Sequence, residues 1–309
     1  MIAVIGGANI DIFGYPYGNS LIRRDSNPGR VHFSMGGVGR NIAENLSLLG
    51  MDVAFFGVVG EDSNGSYILS ESTKIGIDMT GVMIAEGEQT SAYLCILDHK
   101  MDMDVAVCQM GITDLIDKNY IDMHFNKISM ADLIIVDGNL KTEQLQYIIK
   151  RFNDKKILYD PVSTTKAMNS STLLGNFYCI KPNGLEAEVL SGMRIRTMDD
   201  LKNACDCFHQ KGVKLVFITL GDKGTYYSDG ERFGLIDPKS IEMKNATGAG
   251  DAFAAGIAYG IIKDFTVREM AVFASRCAEQ TIISEDTINR NLSETLICRE
   301  IENDKNQSD

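Results

Sequence analysis

The chain has 309 residues, 44% of them apolar, which is enough to bury the core of one large α/β domain or two small ones. A formal net charge of -12 and a pI near 4.9 argue against any general electrostatic affinity for nucleic acid or anionic membranes. No apolar run approaches the ~18 residues of a membrane span, and no basic segment precedes the apolar start "MIAVIGGANID".

Short, continuous apolar runs predict buried strands at residues 2–5, 53–59, 133–136, 157–159, 178–180 and 215–219. Patterns with a helical period lie between them, at residues 41–49, 64–75, 142–152, 186–190, 198–210 and 251–262. This alternation predicts a three-layer α/β/α sandwich around a mostly parallel sheet. Residues 11–35 and 88–108 instead contain alternating segments such as "RVHFSM" and "TSAYLCILD", which predict a small separate sheet. We expect a single domain over residues 1–309, disordered only in the tail "ENDKNQSD".

The seven cysteines indicate a reducing compartment. They include no CxxC pair and no histidine at zinc-finger spacing, and two of them, Cys179 and Cys277, lie inside apolar runs. This usage favours buried thiols over disulfides or metal ligands, so we expect a cytoplasmic protein.

The stretch "NATGAGDAFAAGI" at residues 245–257 is the strongest candidate for a phosphate site, since other phosphate motifs are missing. No GxxxxGK[ST] occurs, and "GGVGRN" fails the GxGxxG spacing because Ile42 stands where the last glycine belongs. Gly248 and Gly250 would leave backbone N–H groups open to an anion at a helix N-terminus. Asp251, one turn further, could accept a hydroxyl proton during phosphoryl transfer. The alternative is structural, with Thr247 as the N-cap and Asp251 as an acidic residue in the first turn.

Two further clusters follow predicted strands near the N-terminus. "GGVGRN" places Gly36, Gly37 and Asn41 between a strand and a helix, either for close approach to a ligand or as simple turn glycines. In "ANID", Asn9 and Asp11 could hold a vicinal diol at the C-terminal end of the first strand, which is the usual ligand edge of an open α/β sheet.

Three motifs in the second half of the chain have the same placement. In "KPNGLEAE", Asn183 and Glu186 could both face a magnesium hydration shell, although N-x-x-E is also a capping box, which in isolation is the favoured interpretation. Asp160, the first residue of "DPVS", directly follows the strand predicted at residues 157–159. The stretch "TLGDKGTYYSDG" at residues 219–230 is either a nucleotide-binding loop or a hairpin.

These motifs, in this order, resemble those of the ribokinase-like (pfkB-type) carbohydrate kinases over essentially the whole chain. Both sequence signatures of the family are present, one around "GGVGRN" and the other in "NATGAGDAFAAG". The resemblance implies a ribokinase-like α/β/α sandwich with a β-sheet lid, and transfer of phosphate from ATP with Mg2+ to a primary hydroxyl of a sugar or nucleoside.

The resemblance also implies roles for individual residues. Asp251 would be the general base, and Gly248, Ala249 and Gly250 the anion hole. Asn183 and Glu186 would act near Mg2+, through water on the family's pattern. The residues expected along the nucleotide are Thr219, Gly221, Gly224, Thr247 and Lys181, with Asp160 nearby. The residues expected to bind the sugar are Asn9, Asp11, Gly36, Gly37 and Asn41.

Within the family, "ANIDIFGY", "DSNPGRVHF" and "KPNGLEAEVLSG" are most similar to the branch that acts on pseudouridine. On that resemblance the lid closes over the uracil ring, with Thr90, Ser91, Tyr93, His32 and Phe33 as candidate contacts. For Tyr93 and Phe33, packing within the lid or in a dimer is the favoured alternative. Ribokinase and purine nucleoside kinase remain alternatives of the same chemistry, and a non-catalytic binding protein is an alternative of another class; a dehydrogenase is disfavoured by the missing fingerprint.

Two expectations concern partners. Family members activated by a monovalent cation often carry Asp where this chain has Asn245, so a K+ site is left open. Exposed lid edges invite pairing with a second lid, which favours a homodimer.

Overall fold

The computed structural model describes residues 1–18, 21–99 and 103–308, with side chains up to Asp304. Residues 19–20 and 100–102 of the expected lid, and Asp309 of the tail, lie outside the described residues. Fourteen strands are described: β1 (Ile2–Ile5), β2 (Asn9–Pro16), β3 (Gly29–Gly36), β4 (Val53–Phe56), β5 (Val58–Gly60), β6 (Met83–Ala85), β7 (Ala92–Leu97), β8 (Met103–Gln109), β9 (Leu133–Asp137), β10 (Lys156–Asp160), β11 (Cys179–Ile180), β12 (Leu215–Thr219), β13 (Thr225–Ser228) and β14 (Phe233–Ile236).

Eleven α-helices accompany these strands in the described part of the chain: α1 (Val38–Leu48), α2 (Ser63–Lys74), α3 (Lys118–Met123), α4 (Phe125–Ser129), α5 (Thr142–Arg151), α6 (Thr164–Ser170), α7 (Gly184–Ser191), α8 (Met198–Lys211), α9 (Ala249–Ile262), α10 (Val267–Ile282) and α11 (Glu294–Ser308). None of them, within residues 1–18, 21–99 and 103–308, combines the length and hydropathy that crossing a bilayer requires.

The central sheet has eight strands in the order β14-β13-β12-β11-β10-β9-β1-β4. The six strands from β12 to β4 pair in parallel, and β13 and β14 are antiparallel. Successive side chains of a strand point to opposite faces, and here both faces are covered. In β1, for example, Ile2 and Val4 join one apolar cluster and Ala3 and Ile5 join the other. This explains the continuous apolar runs and confirms the α/β sandwich.

A separate four-stranded sheet, in the order β3-β2-β7-β8, is the lid expected from the alternating segments. Residues 53–59, expected to be one strand, divide at Gly57 into β4 and β5, and β5 pairs with β6 instead of the central sheet. A side chain at Gly57 would meet the Phe55 ring at 2.7 Å, so the chain passes too close there for any other residue.

The expectation of a disordered tail is wrong for the described residues, since α11 runs to Ser308. Asp304 forms ion pairs with Lys239 and Arg276, which tie this helix to the body of the protein. All seven cysteines are free thiols; Cys179 and Cys277 are buried, as expected, whereas Cys108 and Cys298 are exposed.

Candidate active site

The C-terminal ends of the parallel strands bring several polar side chains to one edge of the sheet. Asp137, Asp160 and Lys181 end or follow β9, β10 and β11, and each is buried. Helix α9 begins beside them, because a side chain built at Gly250 would lie 3.4 Å from Lys181 Nζ. Lys181 in turn contacts Asp160 Oδ2 at 3.1 Å. The edge therefore gathers two carboxylates, one ammonium and one helix N-terminus.

Helix α9 has no side-chain cap. Its N-cap is Gly248, in the left-handed region at φ 82°, so the expectation of Thr247 as the N-cap is wrong. A side chain at Gly248 would come within 2.1 Å of the Thr287 carbonyl oxygen, which leaves room only for glycine. Among the described residues no protein group accepts the Gly250 N–H, whereas the Ala249 N–H reaches the Ala246 carbonyl at 3.4 Å. The helix start thus keeps donor capacity for an anion.

Asp251 lies in the first turn of α9 and is 9% exposed. Asn41 Nδ2, from α1, donates to Asp251 Oδ2 at 2.7 Å. Burial and the nearby charge of Asp160 raise the pKa of Asp251 to about 7, against the lowering effects of Asn41 and Lys181. A carboxyl group with that pKa is suited to exchange protons near neutral pH.

Lys181 keeps its proton in this environment. Burial by itself lowers the pKa of Lys181, but the carboxylates of Asp160 and Glu186 outweigh burial, so its pKa lies above the usual value. The ammonium group is therefore a fixed positive charge beside the start of α9, where it could bind phosphate oxygens.

Asn41 is held from its other side by a buried ion pair. Arg40 donates from Nη2 to Asn41 Oδ1 at 2.5 Å and from Nη1 to Glu44 Oε2 at 2.5 Å. Arg40 Nε also donates to the Gly36 carbonyl, and Nη2 donates to the Met35 carbonyl. Neither Arg40 nor Glu44 was singled out from the sequence.

The lid contributes the side chains expected to bind a sugar. Asn9 Nδ2 donates to Asp11 Oδ1 at 2.6 Å, and both residues are buried at the start of β2. A side chain at Gly36 would lie 2.2 Å from Asp11 Oδ2, and one at Gly37, where φ is 96°, would lie 2.4 Å from the Gly7 carbonyl oxygen. Burial raises the pKa of Asp11, with Asn9 and Arg40 opposing the rise. The two glycines thus give Asp11 and the start of α1 their close approach.

The candidate base contacts divide between the two faces of the lid. Asp11 pairs with Tyr93 on one side and Ser34 on the other, so all three share one face of the sheet, whereas Phe33 is on the opposite face and 65% exposed. His32 is on the same face as Tyr93 and is exposed. The structure thus places Tyr93 and His32, but not Phe33, on the side of Asp11.

Thr90 and Ser91 differ in their hydrogen bonding. Thr90 donates from its hydroxyl to Asp62 and accepts the Gly60 N–H, so it anchors the loop that leads into β7. Ser91 is buried, and its Oγ has no partner among the described residues. Strand alternation puts Ser91 on the same side as Tyr93, and its buried hydroxyl lacks a protein partner there in the described part of the chain.

Asn183 and Glu186 form the capping box of α7. Asn183 Oδ1 accepts the Glu186 N–H, and Glu186 accepts from the Asn183 backbone and side-chain amides, all at 2.9 Å. Each Glu186 oxygen retains acceptor capacity, and burial raises the pKa of this carboxyl. No cluster of three His, Cys, Asp or Glu side chains suited to a metal occurs in the described ranges. The residues therefore fit a Mg2+ ion that keeps most of its water, not one enclosed by protein ligands.

Thr219, Gly221 and Gly224 lie where β12 turns back into the antiparallel strand β13, so the stretch is a hairpin, and its role along the nucleotide stays a prediction. Thr219 bridges to Asn183, which joins this turn to the start of α7. Gly221 has open space around it, while a side chain at Gly224 would meet the Ile236 carbonyl oxygen at 2.0 Å. The open Gly221 surface is compatible with an approaching nucleotide.

Both ends of the Asn245 side-chain amide are hydrogen-bonded to the protein. Its Nδ2 donates to the Glu285 carbonyl, and its Oδ1 accepts the Thr247 N–H. The Ile282 carbonyl accepts the backbone N–H groups of Lys244 and Asn245. These oxygens accept protein hydrogen bonds and, like those of Glu186, keep a second lone pair, so K+ binding beside Asn245 stays the open alternative that the sequence left.

Asp137 is a further member of the site that the sequence interpretation missed. It is fully buried and accepts the backbone N–H groups of Gly7, Gly39 and Asn139. Burial raises its pKa. Asp137 joins the end of β1 to the first turn of α1, which carries Asn41. The sequence did contain a signal for Asp137, because this carboxylate ends the apolar run "LIIVD" of a predicted strand.

Known proteins resemble this chain along nearly its whole length. Residues 1–295 match the profile of the family described as pfkB family carbohydrate kinase. The pseudouridine kinase of Escherichia coli strain K12 is 37% identical over 304 residues, 98% of this chain and 96% of that protein. A guanosine-inosine kinase from Exiguobacterium acetylicum is 25% identical over 292 residues, 92% of this chain and 95% of that protein. The structure of Arabidopsis thaliana ribokinase complexed with ribose and ATP shares the fold, with a TM-score of 0.85 at 21% identity, covering 96% of this chain and 97% of that one.

Proposed function

The chain belongs to the pfkB family of carbohydrate kinases, and on that premise we propose that it transfers the γ-phosphate of ATP to the 5'-hydroxyl of pseudouridine. The 37% identity to a pseudouridine kinase over 98% of the chain supports this acceptor. The observation that carries the chemistry is the buried carboxyl of Asp251, held by Asn41 at the open N-terminus of α9.

Asp251 acts as the general base. It takes the proton of the 5'-hydroxyl as the oxygen attacks the γ-phosphorus; the new P–O bond forms while the bond between the γ-phosphorus and its bridging oxygen breaks, and ADP leaves. With a pKa of about 7, Asp251 is partly ionised at neutral pH and can both accept and release a proton. Positioning and electrostatics contribute the remaining acceleration.

The negative charge of the transferred group is met by the start of α9. The amides of Gly248, Ala249 and Gly250 and the ammonium of Lys181 lie together there, as the 3.4 Å approach of Lys181 to the Gly250 side-chain position supports. Asn183 and Glu186 would hold the water shell of Mg2+, which neutralises phosphate charge when bound. Thr219, Gly221, Gly224 and Thr247 line the nucleotide.

The nucleoside lies between the lid and α1. Asn9, Asp11 and Asn41, with the close backbone of Gly36 and Gly37, bind the ribose. The unpartnered hydroxyl of Ser91 supports a role in reading the uracil ring, together with Tyr93. Thr90 then acts through the loop that it anchors to Asp62.

The acceptor is tested by ADP production with ribose, uridine, inosine and pseudouridine at equal concentrations. We expect the largest kcat/KM for pseudouridine. Rapid turnover of ribose or of inosine with none of pseudouridine would instead identify a ribokinase or a purine nucleoside kinase. No ATP consumption with any acceptor, alongside measurable nucleoside binding, would identify a non-catalytic binding protein.

We also infer a homodimer formed through the lid. The lid face opposite Asp11 is apolar across all four strands, with Phe33, Ile12, Leu94 and Val107 in register and Val31, Ile96 and Val105 in the next row. Several of these side chains are largely exposed, which a second lid would cover. Sedimentation should show a dimer for the wild type and a monomer for Val107→Lys; a monomeric wild type would refute the inference.

The free thiols of all seven cysteines support a cytoplasmic setting.

A further inference from the structure

A continuous chain of buried side chains leads to Asp251 from behind the site. Glu44, Arg40 and Asn41 lie on α1, and Glu44 and Arg40 are 2% and 1% exposed. Glu44 accepts from Arg40, Arg40 donates to Asn41 Oδ1, and Asn41 Nδ2 donates to Asp251. Resting on the function proposed above, we propose that Arg40 is a positioning residue that fixes the amide of Asn41 so that only its N–H side can face Asp251.

The two ends of an amide group have similar shapes but opposite hydrogen-bonding roles. Rotated by half a turn, Asn41 would present its oxygen to Asp251, and that orientation would accept a hydrogen bond from the protonated acid. Arg40 already donates to this oxygen at 2.5 Å, so the rotated amide would turn its NH2 group toward the guanidinium. Arg40 thereby removes the orientation that stabilises the protonated acid and keeps the one that stabilises the carboxylate.

Arg40 is itself fixed by its surroundings. Its Nε and Nη2 donate to the carbonyls of Gly36 and Met35, where β3 ends and α1 begins. Glu44 balances its charge one turn along the helix. A cavity of about 180 Å3 adjoins this ion pair and is also bounded by Thr287, which packs against Gly248. Arg40 thus connects the end of β3 to the first helix and, through Asn41, to Asp251.

The other charges that face Asp251 come from other elements. Asp160 and Asp137 end β10 and β9, and Lys181 follows β11. On α1, Asn41 is the group in contact with Asp251, with Arg40 and Glu44 behind it. The lid places Asp11 within electrostatic reach of Arg40. Substituting Arg40 leaves Asp160, Asp137 and Lys181 in place. A change in the pKa of Asp251 therefore reports on the orientation of the Asn41 amide.

The test compares two buried ion pairs of the same chemistry. Arg40→Met combined with Glu44→Gln removes the pair beside Asn41 without leaving a buried charge unpaired. Arg276→Met combined with Glu279→Gln removes a similar pair on α10. Losing the free energy of one charge-assisted hydrogen bond to the carboxylate would raise the pKa of Asp251 by about one unit. We expect the first variant alone to raise the kinetic pKa by that amount, so that kcat falls about fivefold at pH 7 and less than about twofold at pH 9.

A purely structural role of Arg40 would lower kcat by the same factor at every pH, and that result would overturn the proposal. A second comparison uses Asn41→Ala as the background. If Arg40 acts through Asn41, removing the Arg40–Glu44 pair there produces no further shift in the kinetic pKa. An undiminished further shift would mean that the charge of Arg40 acts directly, and would also overturn the proposal.

Carbon-13 titration of the Asp251 carboxyl, assigned by its loss in Asp251→Asn, measures the same pKa without turnover. We expect an upward shift in the Arg40→Met, Glu44→Gln variant, and an unchanged titration would contradict the proposal. If Asp251→Asn retained full turnover, the function proposed for Asp251 would fail, while this titration would still decide whether Arg40 orients Asn41.

Discussion

Replacing Asp251 by Asn tests the site through both activity and stability. Asparagine keeps the size of the side chain and an oxygen that can accept from Asn41 Nδ2, so the contact with α1 is preserved. It cannot accept the hydroxyl proton. We expect kcat to fall about 10² to 10⁴-fold, with the affinity for ATP little changed.

The same substitution should stabilise the protein at alkaline pH. A buried carboxyl whose pKa rises from 3.8 to about 7 binds its proton more tightly in the folded state. Its contribution to stability is therefore complete below the unfolded pKa and is lost as the pH rises through about 7. At about 1.4 kcal/mol per pH unit, ionisation costs the wild type about 4 kcal/mol at pH 8, and less than about 2 kcal/mol at pH 5.

Urea unfolding at pH 5 and pH 8 measures this difference, and the change between the two pH values matters more than either absolute value. The wild type should lose stability relative to Asp251→Asn as the pH rises. An equal gap at both pH values would show that Asp251 is not ionising in a buried site. Unchanged turnover in the variant would remove Asp251 from its role as the base.

Three further substitutions or conditions test the neighbouring parts of the site. Gly36→Ala should raise the KM for the nucleoside about tenfold and that for ATP less than about twofold, because the new side chain displaces Asp11; equal effects on both in steady-state assays would contradict this. Lys181→Met should lower the free energy of unfolding by about 3–5 kcal/mol, since it leaves Asp160 buried without its partner, and a loss below about 1 kcal/mol in urea titration would contradict it. Replacing K+ by tetramethylammonium should change turnover less than about twofold, because position 245 lacks the carboxylate of K+-activated family members, whereas Asn245→Asp should make the rate depend on K+; strong K+ dependence of the wild type would contradict this prediction.

Much of the architecture was predictable because burial leaves a local trace in the sequence. Residues 133–136 and 157–159 are continuously apolar because β9 and β10 are covered on both faces, and the alternating "RVHFSM" follows from a sheet with one face turned outward. The wrong expectation for the tail has the complementary cause. The first part of α11 packs Ile297 into the core, but the tail that follows is polar, and it is tied down by Asp304 reaching Lys239 and Arg276, which are distant in sequence.

The sequence by itself determined the sandwich, the lid and the placement of Asp251, Asn9 and Lys181 at chain positions that follow strands or begin a helix, because periodicity and glycine spacing are local properties. Only the tertiary structure decided which of these side chains touch. The contacts of Asp251 with Asn41 and of Asp137 with Gly7 join residues that are 210 and 130 positions apart in the sequence. Proton affinity and amide orientation arise from such contacts, and chain order carries no direct record of them.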